Sequence, residues 1–168
     1  MTVSIEQIAN AALERLWFQA YILCNKPFLQ VLVERASVAD YEALVITVDL
    51  PVGGKREWDY RNDFSVPFYF IPKNILDFTC HLGWLSDIIR FEMPVMENLI
   101  DLETKATNVM AMALSVGRNY DLSFNWEGLQ KIRDHWPRKL IIKGILGPED
   151  AVAAMGCDAV IVSNHGGR

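Results

Sequence analysis

The chain of 168 residues is predicted to be a parallel α/β protein of the (β/α)-barrel kind, and three observations carry that expectation. Short apolar runs alternate with segments of helical period. Polar residues follow those runs at their C-terminal ends, where a barrel of this kind keeps its chemistry. An apolar fraction of 51% against 22% charged residues suits a buried core and argues against disorder.

Taken in order, Ser4-Ile5-Glu6-Gln7 opens a helix, with Ser4 as its cap and Gln7 three residues on. Residues 17–23 read as a strand, 28–36 as a helix, and the apolar run 43–48 as a buried strand. Between 51 and 72, three prolines and two glycines make a loop-rich stretch. Helical patterns return at 74–91, 96–113 and 125–134. Residues 140–143 are strand, 148–155 a short helix with Pro148 at its start, and 159–162 a strand. Strand, helix, strand, helix gives parallel neighbours. A whole barrel typically needs about 250 residues. The expected fold is therefore a partial TIM (β/α)8 barrel, with about four central strands and an inserted apolar segment at 64–100.

Composition removes several classes of function. A net charge of −5 gives no reason to expect nucleic-acid binding. The opening residues lack the charged-then-apolar pattern of a secretion signal. Cys24, Cys80 and Cys157 are an odd, widely spaced set, read as reduced thiols of an intracellular protein. His81 beside Cys80 has no second ligand pair at metal spacing, so no metal site is expected. His135, before Trp136 and Pro137, reads as loop or surface.

The case for a site rests on where polar residues interrupt the strands. Gln19 and Tyr21 are two apart and share a face, as do Thr47 and Asp49, and Ser163 and His165. Lys143 closes a fourth apolar run. Any one of these is unremarkable at a strand end facing water, but four strands aimed at one barrel mouth favour a site. Ser163-Asn164-His165-Gly166-Gly167-Arg168 carries the most chemistry. It offers a proton acceptor near neutral pH, a fork for a carboxylate, and glycines that admit close backbone approach.

That six-residue run resembles the active-site signature of the FMN-dependent 2-hydroxy-acid dehydrogenases and oxidases. The resemblance continues in family order through Leu16-Trp17-Phe18-Gln19-Ala20-Tyr21, Ile46-Thr47-Val48-Asp49, Lys55-Arg56-Glu57 with Asp59 and Arg61-Asn62, and Ile142-Lys143-Gly144. It implies FMN as cofactor and oxidation of an (S)-2-hydroxy acid to the 2-oxo acid. By position it makes His165 the catalytic base, Asp49 its paired carboxylate, and Arg56 and Arg168 the ligands of the substrate carboxylate. Tyr21 becomes a substrate-binding phenol, Gln19, Thr47 and Ser163 FMN contacts, and Lys143 the cation near flavin N1. Between Lys143 and His165 the chain is about two residues shorter than the family norm, which is expected to clip the crossover helix. The early and late strands of the family's barrel have no counterpart here. The chain is thus expected to be an internal fragment of one FMN-binding barrel domain that, alone, binds FMN poorly or fails to fold and is inactive.

Residues 64–100 concentrate aromatic and aliphatic side chains, among them Phe68, Tyr69, Phe70, Ile75, Trp84 and Ile89. This resembles the insert on which membrane-associated bacterial members of the family rest at the bilayer. Lys73, Asp77, Asp87, Arg90 and Glu92 interrupt it too often for a spanning helix of about 20 apolar residues, so it would lie in the interface. A lid or a second packing surface is the alternative. Ser123-Phe124-Asn125-Trp126 and Ile132-Arg133-Asp134-His135-Trp136-Pro137 resemble the mandelate-oxidising members most and the lactate-oxidising ones next. The full-length protein is accordingly expected to be a homo-oligomer in the cytoplasm, peripheral on the inner face of the membrane, passing electrons to a quinone. An oxidase using oxygen, and a non-catalytic membrane-surface-binding partial domain, remain as alternatives.

Overall fold

Ala43-Leu44-Val45-Ile46-Thr47 is buried at every position, as a strand covered on both faces must be. In a computed structural model this run is β2 (Ala43–Thr47) of a parallel sheet. The structure describes residues 3–50, 57, 61, 71–91, 97–98 and 120–166. The chain forms two units, one of Met1–Ser4 with Gly54–Ser115 and one of Ile5–Gly53 with Val116–Arg168.

The second unit holds the sheet. Its strands β1 (Trp17–Tyr21), β2, β3 (Lys139–Ile145) and β4 (Ala159–Val162) are hydrogen-bonded in chain order and all parallel. Tyr21 lies opposite Thr47, Thr47 opposite Lys143, and Lys143 opposite Ile161, so the C-terminal ends line up along one edge. Period two sorts the core by face. Leu44, Ile46, Leu140 and Ile142 are buried on one side, while Ala43, Val45 and Ile141 cluster with Ile161 on the other.

The helices are placed by caps and a few long-range polar contacts. Helix α1 (Ile5–Ala11) is tied to α2 (Lys26–Val38) by Arg35, whose Nε and Nη2 donate to the Glu6 carboxylate at 2.7 and 2.8 Å. Helix α2 starts where Asn25 Oδ1 accepts from the Phe28 N–H at 3.1 Å, with Pro27 in its first turn. It buries Phe28, Leu29, Leu32, Val33 and Ala36. Arg138 then donates to the Ser37 carbonyl at 3.0 Å and to Asp40 at 2.7 Å, linking the end of α2 to the approach of β3.

Further helices of the described residues are α3 (Pro72–Cys80), α4 (Leu82–Phe91), α5 (Trp126–His135) and α6 (Pro148–Ala153). Asn125 caps α5 through Gly128 at 3.0 Å, and the fully buried Trp136 donates Nε1 to the Lys139 carbonyl at 2.9 Å. Asp158 accepts from the Leu140 N–H and from Arg133, both at 2.7 Å, and so starts β4 beside β3.

Sequence and structure part at four places. The run expected to be strand through residue 23 leaves the sheet after Tyr21, and Leu23 makes an isolated antiparallel bridge with Tyr120. The helical pattern 74–91 is two helices, because His81 Nδ1 donates to the Asp77 carbonyl at 2.8 Å and caps the first. β3 runs past Lys143 through an irregularity at Gly144. The expected helix 148–155 is the short α6 followed by a 3₁₀ turn, Ala154–Gly156. The helix expected at 96–113 lies outside the described residues, apart from Glu97 and Asn98.

Because Ile46 is fully buried in the central run and Val31 is 47% exposed on α2, Ile46→Ala is expected to lose about 2–5 kcal/mol. Val31→Ala should stay within about 0.5 kcal/mol of wild type. Urea unfolding of the full-length protein measures both. Equal midpoints for the two variants would remove β2 from the core.

Candidate active site

Parallel register brings Gln19, Thr47 and Lys143 onto adjacent strands. Gln19 Nε2 donates to Thr47 Oγ1 at 2.9 Å, and Thr47 is a buried polar side chain whose hydroxyl finds its partner there. Just past Lys143, Gly144 has φ +109°, and a Cβ on it would lie 2.6 Å from Asp49 Cβ and 2.7 Å from Asp49 N. Only glycine permits that close approach. The Val48 N–H completes the crossing by donating to the Lys143 carbonyl at 2.9 Å. Ile142-Lys143-Gly144 thus has a steric meaning: Gly144 lets the end of β2 carry Asp49 over β3.

Asp49 is the hub. Its side chain is 2% exposed, and three donors converge on it. Lys143 Nζ donates to Oδ2 at 2.5 Å, Ser163 Oγ donates to Oδ2 at 2.6 Å, and His165 Nδ1 stands 2.7 Å from Oδ1. Burial alone would push this carboxyl up. The donors from Lys143, Ser163 and His165 outweigh it and hold the carboxyl down at about 2. An ionised carboxylate only accepts, so the proton on the facing nitrogen of His165 belongs to Nδ1. Nε2 is left as the basic nitrogen.

The loop after β4 holds His165 by a side-chain turn. Ser163 Oγ accepts from the His165 N–H at 3.2 Å, and His165 adopts the left-handed conformation, φ +57°. Asn164 repeats the device, its Oδ1 accepting from the Gly166 N–H at 2.9 Å. A Cβ on Gly166 would lie 2.6 Å from that same oxygen. Ser-Asn-His-Gly is therefore two overlapping turns that present an imidazole.

Tyr21 faces His165 with ring centroids 6.3 Å apart. Tyr120, which the sequence did not single out, packs against Tyr21 with ring centroids 5.5 Å apart and the rings tilted by 36°. The turn carrying it is pinned to the end of β1 by Asp121 N–H to the Ile22 carbonyl at 3.0 Å, by Cys24 Sγ to the Tyr120 carbonyl at 3.3 Å, and by Lys26 with Asp121 at 3.4 Å. Burial, and then the neighbouring Tyr21, push the Tyr120 phenol above its ordinary value. Tyr21, Thr47, Leu50 and Tyr120 line a cavity of about 100 Å³ beside the strand ends. A larger groove of about 780 Å³ runs between α2 and α5 and includes none of these groups. Arg56 and Arg168 lie outside the described residues. Of the sequence-chosen set, the structure gathers Gln19, Tyr21, Thr47, Asp49, Lys143, Ser163 and His165 at one edge of the sheet.

Comparison with known proteins matches the whole chain, residues 1–168, to the FMN-dependent dehydrogenase family. The (S)-mandelate dehydrogenase of Pseudomonas putida is 41% identical over 168 residues, which is 99% of this chain and 42% of that protein. An L-lactate dehydrogenase of Pseudomonas paraeruginosa is 38% identical over 167 residues, covering 98% and 44%. The crystal structure of the monotopic membrane protein (S)-mandelate dehydrogenase superposes with a TM-score of 0.86 at 39% identity, covering 98% of this chain and 44% of that one. The chain spans less than half the length of these relatives. The fold they share with it is the (β/α)8 barrel, of which the four parallel strands form a part.

The Asp49 network has a definite pH signature. Its carboxyl is lowered from 3.8 to about 2 on folding, so its stabilisation is fully present above pH 3.8 and is lost as pH falls through about 2. A shift of that size corresponds to roughly 2 kcal/mol. Asp49→Asn is expected to flatten the acid limb of the stability curve between those values, measured by denaturant unfolding at stepped pH. An unchanged limb would mean that the carboxylate is not held as described.

Proposed function

The chain belongs to the FMN-dependent dehydrogenase family, and from that premise we propose that the full-length protein oxidises an (S)-2-hydroxy acid, mandelate foremost, to the 2-oxo acid. The observation that carries this reading is the His165–Asp49 contact at 2.7 Å beside Lys143, a base backed by a buried carboxylate. In this reading the whole of residues 1–168 is a piece of one FMN-binding barrel domain, with 64–100 inserted in it.

The donor set fits a flavin. Gln19, Thr47 and Lys143 offer an amide, a hydroxyl and a cation on three adjacent strands, the groups that the polar edge of a flavin ring requires. Lys143 would sit at N1 and the C2 carbonyl, with Gln19 and Thr47 as further contacts. When bound, FMN accepts the two electrons that the substrate loses.

The protein's own groups do the rest. Arg56 and Arg168 fix the substrate carboxylate with planar forks, which orient it as a point charge does not. Tyr21 donates a hydrogen bond to the substrate. His165 takes a substrate proton on Nε2, from C2 or from the hydroxyl, and Asp49 stabilises the resulting imidazolium through Nδ1–H. Lactate is the second substrate in this reading, favoured by the L-lactate dehydrogenase at 38% identity.

The first unit supports attachment to a membrane surface. Ile75 and Leu76 on α3 and Leu82, Trp84 and Ile89 on α4 are 47–76% exposed. The similar (S)-mandelate dehydrogenase is a monotopic membrane protein. Among the described residues no helix is long and apolar enough to cross a membrane. The segment would lie in the interface on the cytoplasmic side of the membrane, and a homo-oligomer would pass electrons to a quinone there.

In the full-length protein, His165→Asn is expected to retain FMN and to lower turnover by about 10²–10⁴-fold, measured by flavin absorbance and steady-state rates with mandelate, lactate and glycolate. Normal turnover would remove His165 from the mechanism. Sedimentation with lipid vesicles tests the membrane reading: exchange of residues 64–100 for a short polar connection should release the protein while substrate still reduces the flavin. A wild-type protein that stays in the supernatant would make the segment a lid or packing surface.

A further inference from the structure

Ser163 has a geometry that its resemblance-based role as a flavin contact does not use. A hydroxyl has a single proton to donate, and that of Ser163 points to Asp49 Oδ2 at 2.6 Å. The same oxygen accepts the His165 N–H at 3.2 Å, across a residue held at φ +57°. One atom therefore touches both members of the base pair. Lys143 and Ser163 together occupy Oδ2, which leaves Oδ1 to His165.

We propose that Ser163 is a positioning residue for the proton transfer, fixing the plane of the Asp49 carboxylate and the left-handed turn of His165 so that Nδ1 meets Oδ1. The proposal rests on the reading of His165 as the base. Without the hydroxyl, Lys143 still neutralises Asp49, so the buried charge keeps a partner. Two restraints on direction disappear. The carboxylate is free to turn about its own axis, and a non-glycine residue at positive φ loses the bond that holds it there. The base then points less often at the substrate.

The contrast with a flavin contact is measurable. In the full-length holoenzyme, Ser163→Ala is expected to lower kcat by up to about 100-fold, as misplacement of a reacting group does, while KM and the FMN Kd stay within about twofold. Ser163→Thr, which keeps the hydroxyl, should restore most of kcat. A second readout needs no turnover: the hydrogen-bonded Nδ1 proton of His165, assigned in ¹⁵N-histidine-labelled protein against His165→Asn. It should persist in wild type and in Ser163→Thr and be broadened by exchange in Ser163→Ala. A Ser163→Ala enzyme that binds FMN at least tenfold more weakly but turns over normally once saturated would overturn the proposal and make Ser163 a flavin contact. An unchanged Nδ1 signal in Ser163→Ala would overturn it as well. Wild-type protein that keeps the signal yet reduces no flavin with any 2-hydroxy acid would instead defeat the reading of the reaction, leaving Ser163's effect on the pair to be scored by the spectrum.

Discussion

A carboxylate that is almost wholly out of water must be surrounded by donors, and that requirement at Asp49 organises the strand ends around it. Lys143 comes from β3, Ser163 and His165 from the loop after β4, and Asp49 itself from the end of β2. Each donor satisfies part of the carboxylate, and the carboxylate in turn fixes each donor. The imidazole is oriented because its Nδ1 has one acceptor to face. A lysine and a histidine, which repel when both are charged, stand 3.5 Å apart because the negative charge lies between their demands.

The hub exists because the backbone allows it. Asp49 reaches across β3 only where residue 144 has no side chain, and the left-handed φ there accompanies the break in β3–β4 register. The irregularity therefore belongs to the site rather than being a fault in the sheet. It follows that the apolar strands and the polar cluster are not independent: burial of Leu44, Ile46, Leu140 and Ile142 sets the height of β2 against β3, and that height brings Asp49 over the glycine.

The strands and their polar ends were legible in the sequence because buried parallel strands read as continuous apolar runs with an abrupt polar finish. Residues 43–47 show this plainly, buried throughout, and 159–162 has the same apolar-to-polar pattern although Ala159 and Val162 are exposed. The end of β1 did not, since Ile22 and Leu23 continue the apolar run while their backbone partners lie in the turn at Tyr120, about a hundred residues on. No local pattern reports a partner that far away. The same distance hid Tyr120, which sits in no strand and precedes an ordinary Asp121–Ser123 turn. The split at His81 was hidden because a side-chain cap on a carbonyl leaves the apolar period intact on both sides. Ser163 was visible as a residue of the signature, but its hydrogen bond to a carboxylate 114 positions earlier was not.

The ring contact between Tyr21 and His165 carries a further step about shape. Tyr21 ends the first strand and His165 lies in the loop after the last strand of a four-stranded sheet, and three strand spacings of about 4.8 Å would set those strands roughly 14 Å apart on a flat surface. Their ring centroids are 6.3 Å apart. Side chains lean inward by that much when the strands carrying them sit on a curved sheet and face its concave side, as barrel strands do. The face bearing Val45, Ile141 and Ile161 is then the interior one, and Leu44, Ile46, Leu140 and Ile142 are buried on the opposite face. Thr47 and Lys143 lie on the two central strands with Asp49 just beyond β2, and Tyr21 and His165 stand to either side of them.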